Sequence, residues 1–132
     1  MARFDKYDGK TGGFRARLGF APAASEVGDV IPITIKGSGL AVKGSATACD
    51  AVICLSSLLN QNDPVDCMTR GEIVDVSASA DNITGAATGA TMYSAAAGAI
   101  NTTAPGAGVN GVRIGKFVEA WRLVVNVQPV QG

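Results

Sequence analysis

The residue types that usually carry out catalysis are sparse in this chain of 132 residues. It contains no histidine, so it lacks the commonest general base, the commonest neutral metal ligand and any Ser–His or Cys–His couple. A nucleophile would need a lysine or a carboxylate as its base. A small enzyme built on Asp or Lys remains a minor alternative, but no pair of carboxylates lies on one patterned strand. We therefore expect the protein not to be an enzyme.

The three cysteines, Cys49, Cys54 and Cys67, are the next candidates for chemistry. Their spacing lacks the CxxC pairs of structural zinc sites, and no fourth Cys or His completes a ligand set. An odd number of cysteines, with no apolar signal segment at the N-terminus, argues against a secreted disulfide framework. We expect buried, inert thiols, no metal and no cofactor, in a protein made in a reducing cytoplasm.

Two further groups of residues suggest ligand binding only weakly. Asp63, Asp66 and Glu72 flank a loop and could form a cation site, but their spacing is not that of an EF-hand, and a solvated acidic loop explains them as well. The Gly106-Ala107-Gly108 segment lacks the strand and helix that a phosphate-binding loop requires. No apolar run is long enough to span a bilayer, and no clustered basic face indicates nucleic-acid binding.

A long stretch of small residues is the most unusual feature of the chain. Between Val76 and Gly111 the only side chain that is charged at neutral pH is Asp81, and most other residues are Ala, Gly, Ser, Thr or Asn. Small uncharged residues allow backbones to approach closely with little loss of side-chain entropy or hydration. We expect contacts here with other subunits or with a partner's surface, and we place the contact between subunits of a homo-oligomer most directly at Tyr93, Ala96 and Ala97.

The first 28 residues are expected to form an extended N-terminal arm. Glycines interrupt any helix in this segment, and within its first 17 residues five basic side chains face two acidic ones. Apolar anchors on a basic ribbon are typical of segments that order in a partner's groove. A solvated tail, or rings that cover the domain's own core, are the alternatives. The candidate partner-binding residues are Arg3, Phe4, Tyr7, Phe14, Arg15, Arg17 and Phe20.

Residues 29–132 are expected to form one all-β domain. Apolar residues alternate with polar ones in several short segments, which Gly-rich turns separate. The expected strands are 29–36, 40–43, 51–55, 72–79, 90–94, 99–103, 112–120 and 121–127. This pattern predicts a small β-sandwich or a partly open barrel of short antiparallel strands.

Three details of this assignment are open to structural test. Residues 45–59 fit either a helix of about three turns or a strand at 51–55, and we favour the strand. Pro32 cannot donate a ladder hydrogen bond, so its strand is expected at an edge or to begin there. Pro129 is expected to end the last strand.

Three segments resemble a family of tailed-bacteriophage capsid decoration proteins, also called head cement proteins. They are GDVIPITIKG (28–37), GATMYSAAAGAINTTAPG (89–106) and VRIGKFVEA (112–120). The similarity covers most of residues 28–127, and 112–120 is its most specific part. The basic arm and the Cys-containing region at 45–70 depart from the family pattern.

The resemblance implies a non-enzymatic structural protein. Such proteins bind the outer surface of the mature capsid, often as trimers, and stabilise the shell against internal DNA pressure. The expected partners are therefore the major capsid protein and further copies of the chain, with no nucleic acid and no membrane. The expected location is the exterior of the virion. The alternative is another phage structural module, such as a head fibre base or a tail component.

Overall fold

A computed structural model describes residues 1–77 and 82–132. In this part of the chain eleven strands build a five-stranded barrel and a six-stranded sheet. Short 3-10 turns at Ala24–Glu26 and Ala96–Gly98 supply the helical content. The prediction of an all-β fold is confirmed.

The barrel contains five strands in the spatial order β2-β4-β3-β5-β6 and is closed. Its strands are β2 (Gly13–Leu18), β3 (Val30–Ile35), β4 (Leu40–Lys43), β5 (Ala51–Cys54) and β6 (Pro64–Met68). The β2–β4 pair is parallel, whereas the other pairs of barrel strands are antiparallel. Closure pairs the outermost strands with each other, so the barrel does not stay partly open.

The remaining strands form the sheet in the order β1-β7-β11-β10-β8-β9, and its pairs are antiparallel. They are β1 (Arg3–Asp5), β7 (Arg70–Val74), β8 (Thr91–Ala95), β9 (Ala99–Asn101), β10 (Asn110–Glu119) and β11 (Arg122–Gln131). The long β10–β11 hairpin lies at the centre of the sheet. Its register shifts between Arg113 and Gly115 and again between Phe117 and Glu119.

Two hydrophobic cores follow from the side-chain alternation of the strands. The barrel core lies inside the barrel and contains Leu18, Ile31, Ile33, Ala41, Ala51, Ile53, Leu55, Val65 and Cys67. The interlayer core joins the sheet to the barrel wall and contains Ala2, Val30, Val52, Met68, Ile73, Val76, Ile83, Met92, Ile100, Ile114, Phe117, Leu123 and Val125. In β3, for example, Ile31 and Ile33 point into the barrel while Val30 points toward the sheet. Each fully buried aliphatic side chain contributes about 1.5 to 3 kcal/mol.

The first 28 residues differ in placement from the expected extended arm. Residues 3–5 pair with β7 in the sheet, and residues 13–18 pair with both β4 and β6 in the barrel. Ala2 and Leu18 are almost fully buried in the interlayer core and the barrel core, respectively. The glycines that break a helix here are compatible with strands, so their presence did not imply an unpaired segment.

Pro32 lies in an interior strand, which corrects the expectation of an edge strand or a strand start. β3 has β4 on one side and β5 on the other. The Gly44 N–H donates to the Pro32 carbonyl, so the main-chain groups of Pro32 face the end of β4. The Gly44 carbonyl there accepts the Gly98 N–H at 3.0 Å. Because that carbonyl has another donor, the missing N–H of Pro32 leaves no unsatisfied group.

The last strand also differs from expectation. β11 continues through Pro129, which pairs with Val112, and it ends at Gln131. The favoured strand at 51–55 is confirmed as β5, and the helix alternative is excluded. The strand expected at 72–79 is present as Arg70–Val74, and residues 78 and 79 lie outside the described residues, as does Asp81.

Candidate interaction surfaces

The cysteines lie in environments that suppress thiol chemistry. Burial raises the pKa of Cys49, Cys54 and Cys67 to about 12 in each case. The Cys49 thiol donates to the Ala51 carbonyl at 3.3 Å. Since the thiolate is the nucleophile and the metal ligand, thiols held this far above neutral pH are unreactive in the folded protein.

The three carboxylates considered as a cation site each have another partner. Asp63 accepts the Asn60 N–H, Asp66 pairs with Arg15, and Glu72 pairs with Lys6 and Arg122. Within residues 1–77 and 82–132, no group of three or more His, Cys, Asp or Glu side chains is placed to hold a metal ion. In the same residues no helix is long and apolar enough to cross a membrane.

The basic residues of the N-terminal segment contact groups of the same chain. Arg3 pairs with Asp75 at 3.2 Å and Arg15 pairs with Asp66 at 3.1 Å. The Arg17 guanidinium donates to the Asn62 carbonyl at 3.1 Å. Both ion pairs are exposed and weak, so a partner's carboxylates could take the places of Asp75 and Asp66.

The aromatic residues of this segment divide between the two cores. Phe4 and Tyr7 lie 4.9 Å apart, ring centre to ring centre, and pack against the interlayer core. Phe14 and Phe20 pack against the barrel core, and the Lys43 ammonium lies 5.4 Å from the Phe20 ring centre. All four rings are only partly buried. Their role in covering the cores is visible here, whereas a role in partner binding stays a prediction.

Several residues of the small-residue stretch pack closely against other parts of the same chain. Gly98 is buried, and a Cβ atom there would press on Lys43 and Ile31 of the barrel. The Asn82 side-chain amide donates to the Val30 carbonyl, and the Ser94 hydroxyl donates to the Ser45 carbonyl at 2.7 Å. Small residues are therefore needed where sheet and barrel backbones approach each other.

The three residues expected at a subunit interface lie at the surface. Ala96 and Ala97 are exposed in the turn between β8 and β9, and Ala97 has a left-handed backbone with φ of 57°. Tyr93 is half-buried and lines a shallow groove of about 230 Å³. Most of the groove lining comes from small residues within 103–112, and Ala46 and Thr47 also contribute. Tyr93 and the alanine turn are thus both accessible to a second chain.

The outer face of the sheet, opposite the barrel, carries an ion network at one end. Glu72 is only 14% exposed and receives Arg122 at 3.0 Å and Lys6 at 3.4 Å. Arg122 also reaches Glu119 at 2.9 Å. The network ties β7 to the β10–β11 hairpin and to the residue that follows β1.

A second group of charges on the same face has no anionic partner. Arg70 lies opposite Asn126, Lys116 lies opposite Val124 and Thr91, and Arg113 lies opposite Tyr93. Among the described residues none of the three cations forms an ion pair. We name the set Arg70, Arg113, Lys116, Asn126, Thr91 and Tyr93 the cationic strip.

Sequence reasoning did not identify the cationic strip as a site. Arg70 lies far from Arg113 and Lys116 in the sequence, and each of the two strands that carry these cations looks ordinary by itself. The strip exists because β11 lies between β7 and β10, while β8 lies on the other side of β10. The sequence shows the alternation of side chains within each strand, but it does not show the order of the strands in the sheet.

The comparisons with known proteins give one informative result. No protein-family model matches the sequence, and no curated protein matches it. The fold is similar to a solved chain from Mycobacterium phage Patience, with a TM-score of 0.77 and 21% sequence identity. The similarity covers 99% of this chain and 98% of that one. At this level of identity the result establishes that the two chains share a fold along their whole lengths.

Proposed function

We propose that this chain is a non-enzymatic structural protein of a bacteriophage particle that binds the outer surface of the capsid and stabilises the shell, in the form of a trimer. The observation that carries the proposal is the end-to-end fold similarity to a chain from a mycobacteriophage. The extent of this similarity matters, because it includes both the barrel and the sheet. The motif at 112–120, which resembles the capsid decoration family, forms the central strand β10 of the sheet.

The chemistry of the surface supports a binding role. The cysteines are held as unreactive thiols by burial. Most of the described carboxylates form ion pairs or accept hydrogen bonds from the same chain. The surface provides several regions that a partner can contact, namely an exposed alanine turn, half-buried aromatic rings and a charged sheet face. Repetition of a modest interface over many copies on a symmetric shell would make the total stabilisation large.

A binding assay with capsids tests the proposal directly. Purified protein is mixed with undecorated mature shells of the parent phage and sedimented, and the shells are then heated. The protein is expected to co-sediment at a fixed ratio to the shell protein and to raise the temperature at which the shells open. Failure to co-sediment at any protein concentration would overturn the proposal.

A component of the phage tail or of a head fibre base is the alternative function. A tail-tube protein is expected to assemble into rings or tubes on its own, whereas a capsid-binding protein stays a small oligomer until it meets a shell. Electron microscopy and light scattering of the concentrated protein separate the two cases. Rings or tubes in the absence of shells would favour the alternative.

The trimer is tested at the alanine turn. We expect Ala96→Glu to place an unpaired charge in the subunit contact and to shift the protein to monomers, because burial of such a charge is strongly unfavourable. Ser38→Glu, in an exposed turn of the barrel, is the matched control and should leave the mass unchanged. The masses are measured by light scattering. If both variants keep the mass of the unmodified protein, the alanine turn is not an interface.

A further inference from the structure

We propose that the cationic strip (Arg70, Arg113, Lys116, Asn126, Thr91 and Tyr93) is the surface that docks on an acidic patch of a protein partner. This inference rests on the proposed function, in which that partner is the shell protein. It moves the electrostatic docking surface away from the N-terminal segment, where the sequence had placed it.

The first support is the distribution of paired and unpaired cations. Arg3, Lys6 and Arg15 contact Asp75, Glu72 and Asp66 of the same chain. Arg70, Arg113 and Lys116 have no carboxylate partner among the described residues, and the registers place them on one face of the sheet, on β7 and β10 with β11 between them. Since the three cations share one face without carboxylate partners, an anionic surface that covers this face can form favourable charge contacts with all of them.

The second support is the state of Arg113. Its Nε atom is buried and has no hydrogen-bond acceptor among the described residues, while the residue as a whole is partly exposed. An unpaired buried donor is unfavourable, so a rotation of the Arg113 side chain toward an external acceptor would break no existing hydrogen bond at this atom. A carboxylate can accept from a guanidinium with two parallel hydrogen bonds, which a neutral surface cannot reproduce.

The neighbourhood of the strip favours a protein over a nucleic acid. Glu72 and Glu119 lie on the same face beside the cations, and the Glu119 side chain is 43% exposed. Because Lys6 and Arg122 neutralise these glutamates, this part of the face has no excess positive charge, and a uniformly anionic phosphate backbone would gain no attraction there. A protein surface can place carboxylates against Arg70, Arg113 and Lys116 and leave neutral or basic groups against the glutamates. Tyr93 adds an aromatic contact of the kind that protein interfaces favour.

Matched charge reversals test the strip on capsids. Arg70→Glu with Lys116→Glu changes the strip, and Lys10→Glu with Lys36→Glu makes the same change in net charge at exposed positions elsewhere. Circular dichroism checks that both variants are folded. We expect the strip variant to bind undecorated shells about tenfold more weakly than the unmodified protein, as befits the loss of exposed charge pairs. The control variant should bind normally, and added NaCl should weaken the unmodified protein more than the strip variant.

A second measurement judges the strip without capsids. Amide signals of the isotope-labelled protein are followed by NMR during titration with a short polyglutamate peptide and, separately, with a short DNA duplex. Polyglutamate is expected to shift the amides of Arg70, Arg113 and Lys116 and of their neighbours, with little effect at Lys10 and Lys36. Uniform shifts, or a stronger response of the strip to DNA, would overturn the inference.

The two measurements separate the possible failures. If the unmodified protein binds shells and the strip variant binds equally well, the strip is not the docking surface, although the proposed function stands. If the unmodified protein does not bind shells, the proposed function fails, and the titration alone decides whether the strip recognises acidic groups.

Discussion

Gly115 occupies a position in β10 where no side chain fits. A Cβ atom there would overlap the carbonyl oxygen of Val124 in the paired strand β11. The register shift between Arg113 and Gly115 brings the two backbones together at this point, as a β-bulge does. The glycine is therefore required by the close approach of two central strands.

We expect Gly115→Ala to destabilise the protein by about 1 to 3 kcal/mol, because the backbone must shift to admit the methyl group. Gly37→Ala is the matched control, since a Cβ atom at Gly37 would meet nothing within 4 Å. Urea unfolding measures both variants. Equal stability of the two variants would show that the bulge relaxes at little cost.

Glu26 gives a second residue-scale prediction, through its ionisation. Burial alone would raise the pKa of Glu26, but the Ala23 N–H and the Lys43 ammonium, at 2.9 Å and 2.7 Å, lower it below its ordinary value of 4.5. This carboxylate therefore stabilises the folded protein fully at pH values above the ordinary pKa of glutamate. The stabilisation is lost as the pH falls through the lowered pKa of the folded protein.

The expected result is a pH-dependent difference between Glu26→Gln and the unmodified protein. The variant should melt at a lower temperature at neutral pH, and the difference should shrink as the pH falls below the ordinary glutamate pKa. Thermal melts at a series of pH values measure it. A difference that stays constant down to the acid limit would mean that the carboxylate charge does not contribute.

At the scale of elements, β2 is the strand that closes the barrel. It pairs with β6 over residues 13–17 and with β4 at Arg17 and Leu18. Because it joins strands that are distant in sequence, its removal would open the barrel and expose the barrel core. Removal of this segment is therefore expected to affect folding, whereas removal of a free arm would leave the rest of the protein folded.

We expect deletion of residues 2–20 to unfold the protein or to leave it without fixed side-chain packing, since it removes β1, β2 and the buried Leu18. Near-UV circular dichroism and amide NMR dispersion provide the measurement. A well-folded truncated protein would show that the segment is dispensable and would restore the idea of a separate arm.

The strands with clear alternation were predictable, and those without it were not. β3 and β11 carry β-branched and apolar residues at every second position, and this alternation indicates a strand with one buried face. β1 is too short to show a period, and β6 (PVDCM) begins with a proline, which disfavours a strand interior, so neither strand was expected. The interface candidates in the alanine turn were found from composition. The cationic strip required knowledge of strand order, which is set by long-range pairing and leaves no local signal.

For the whole molecule, the two layers share a core. Val30, Val52 and Met68 belong to barrel strands, yet they pack in the interlayer core with Phe117 and Leu123 of the sheet. Opening either layer would expose this shared surface to water. The barrel and the sheet are therefore expected to unfold as one cooperative unit.

Two probes on different layers test this cooperativity. The single tryptophan, Trp121, lies at the β10–β11 turn of the sheet, whereas the cysteines lie in or beside barrel strands. Trp121 fluorescence and thiol reactivity should change at the same urea concentration, and Val52→Ala should lower both midpoints together. Separate midpoints would show that one layer survives alone.

The edges of the sheet have a consequence for behaviour at high concentration. The outer side of β9 is covered, since the Ile100 N–H donates to the Asn82 carbonyl and the Thr84 N–H donates to the Ile100 carbonyl. The other edge is β1, which is three residues long and carries Arg3 and Asp5. Short, charged edges are poor templates for strand pairing between molecules. We therefore expect the edges of this sheet to resist pairing with strands of other molecules at high protein concentration.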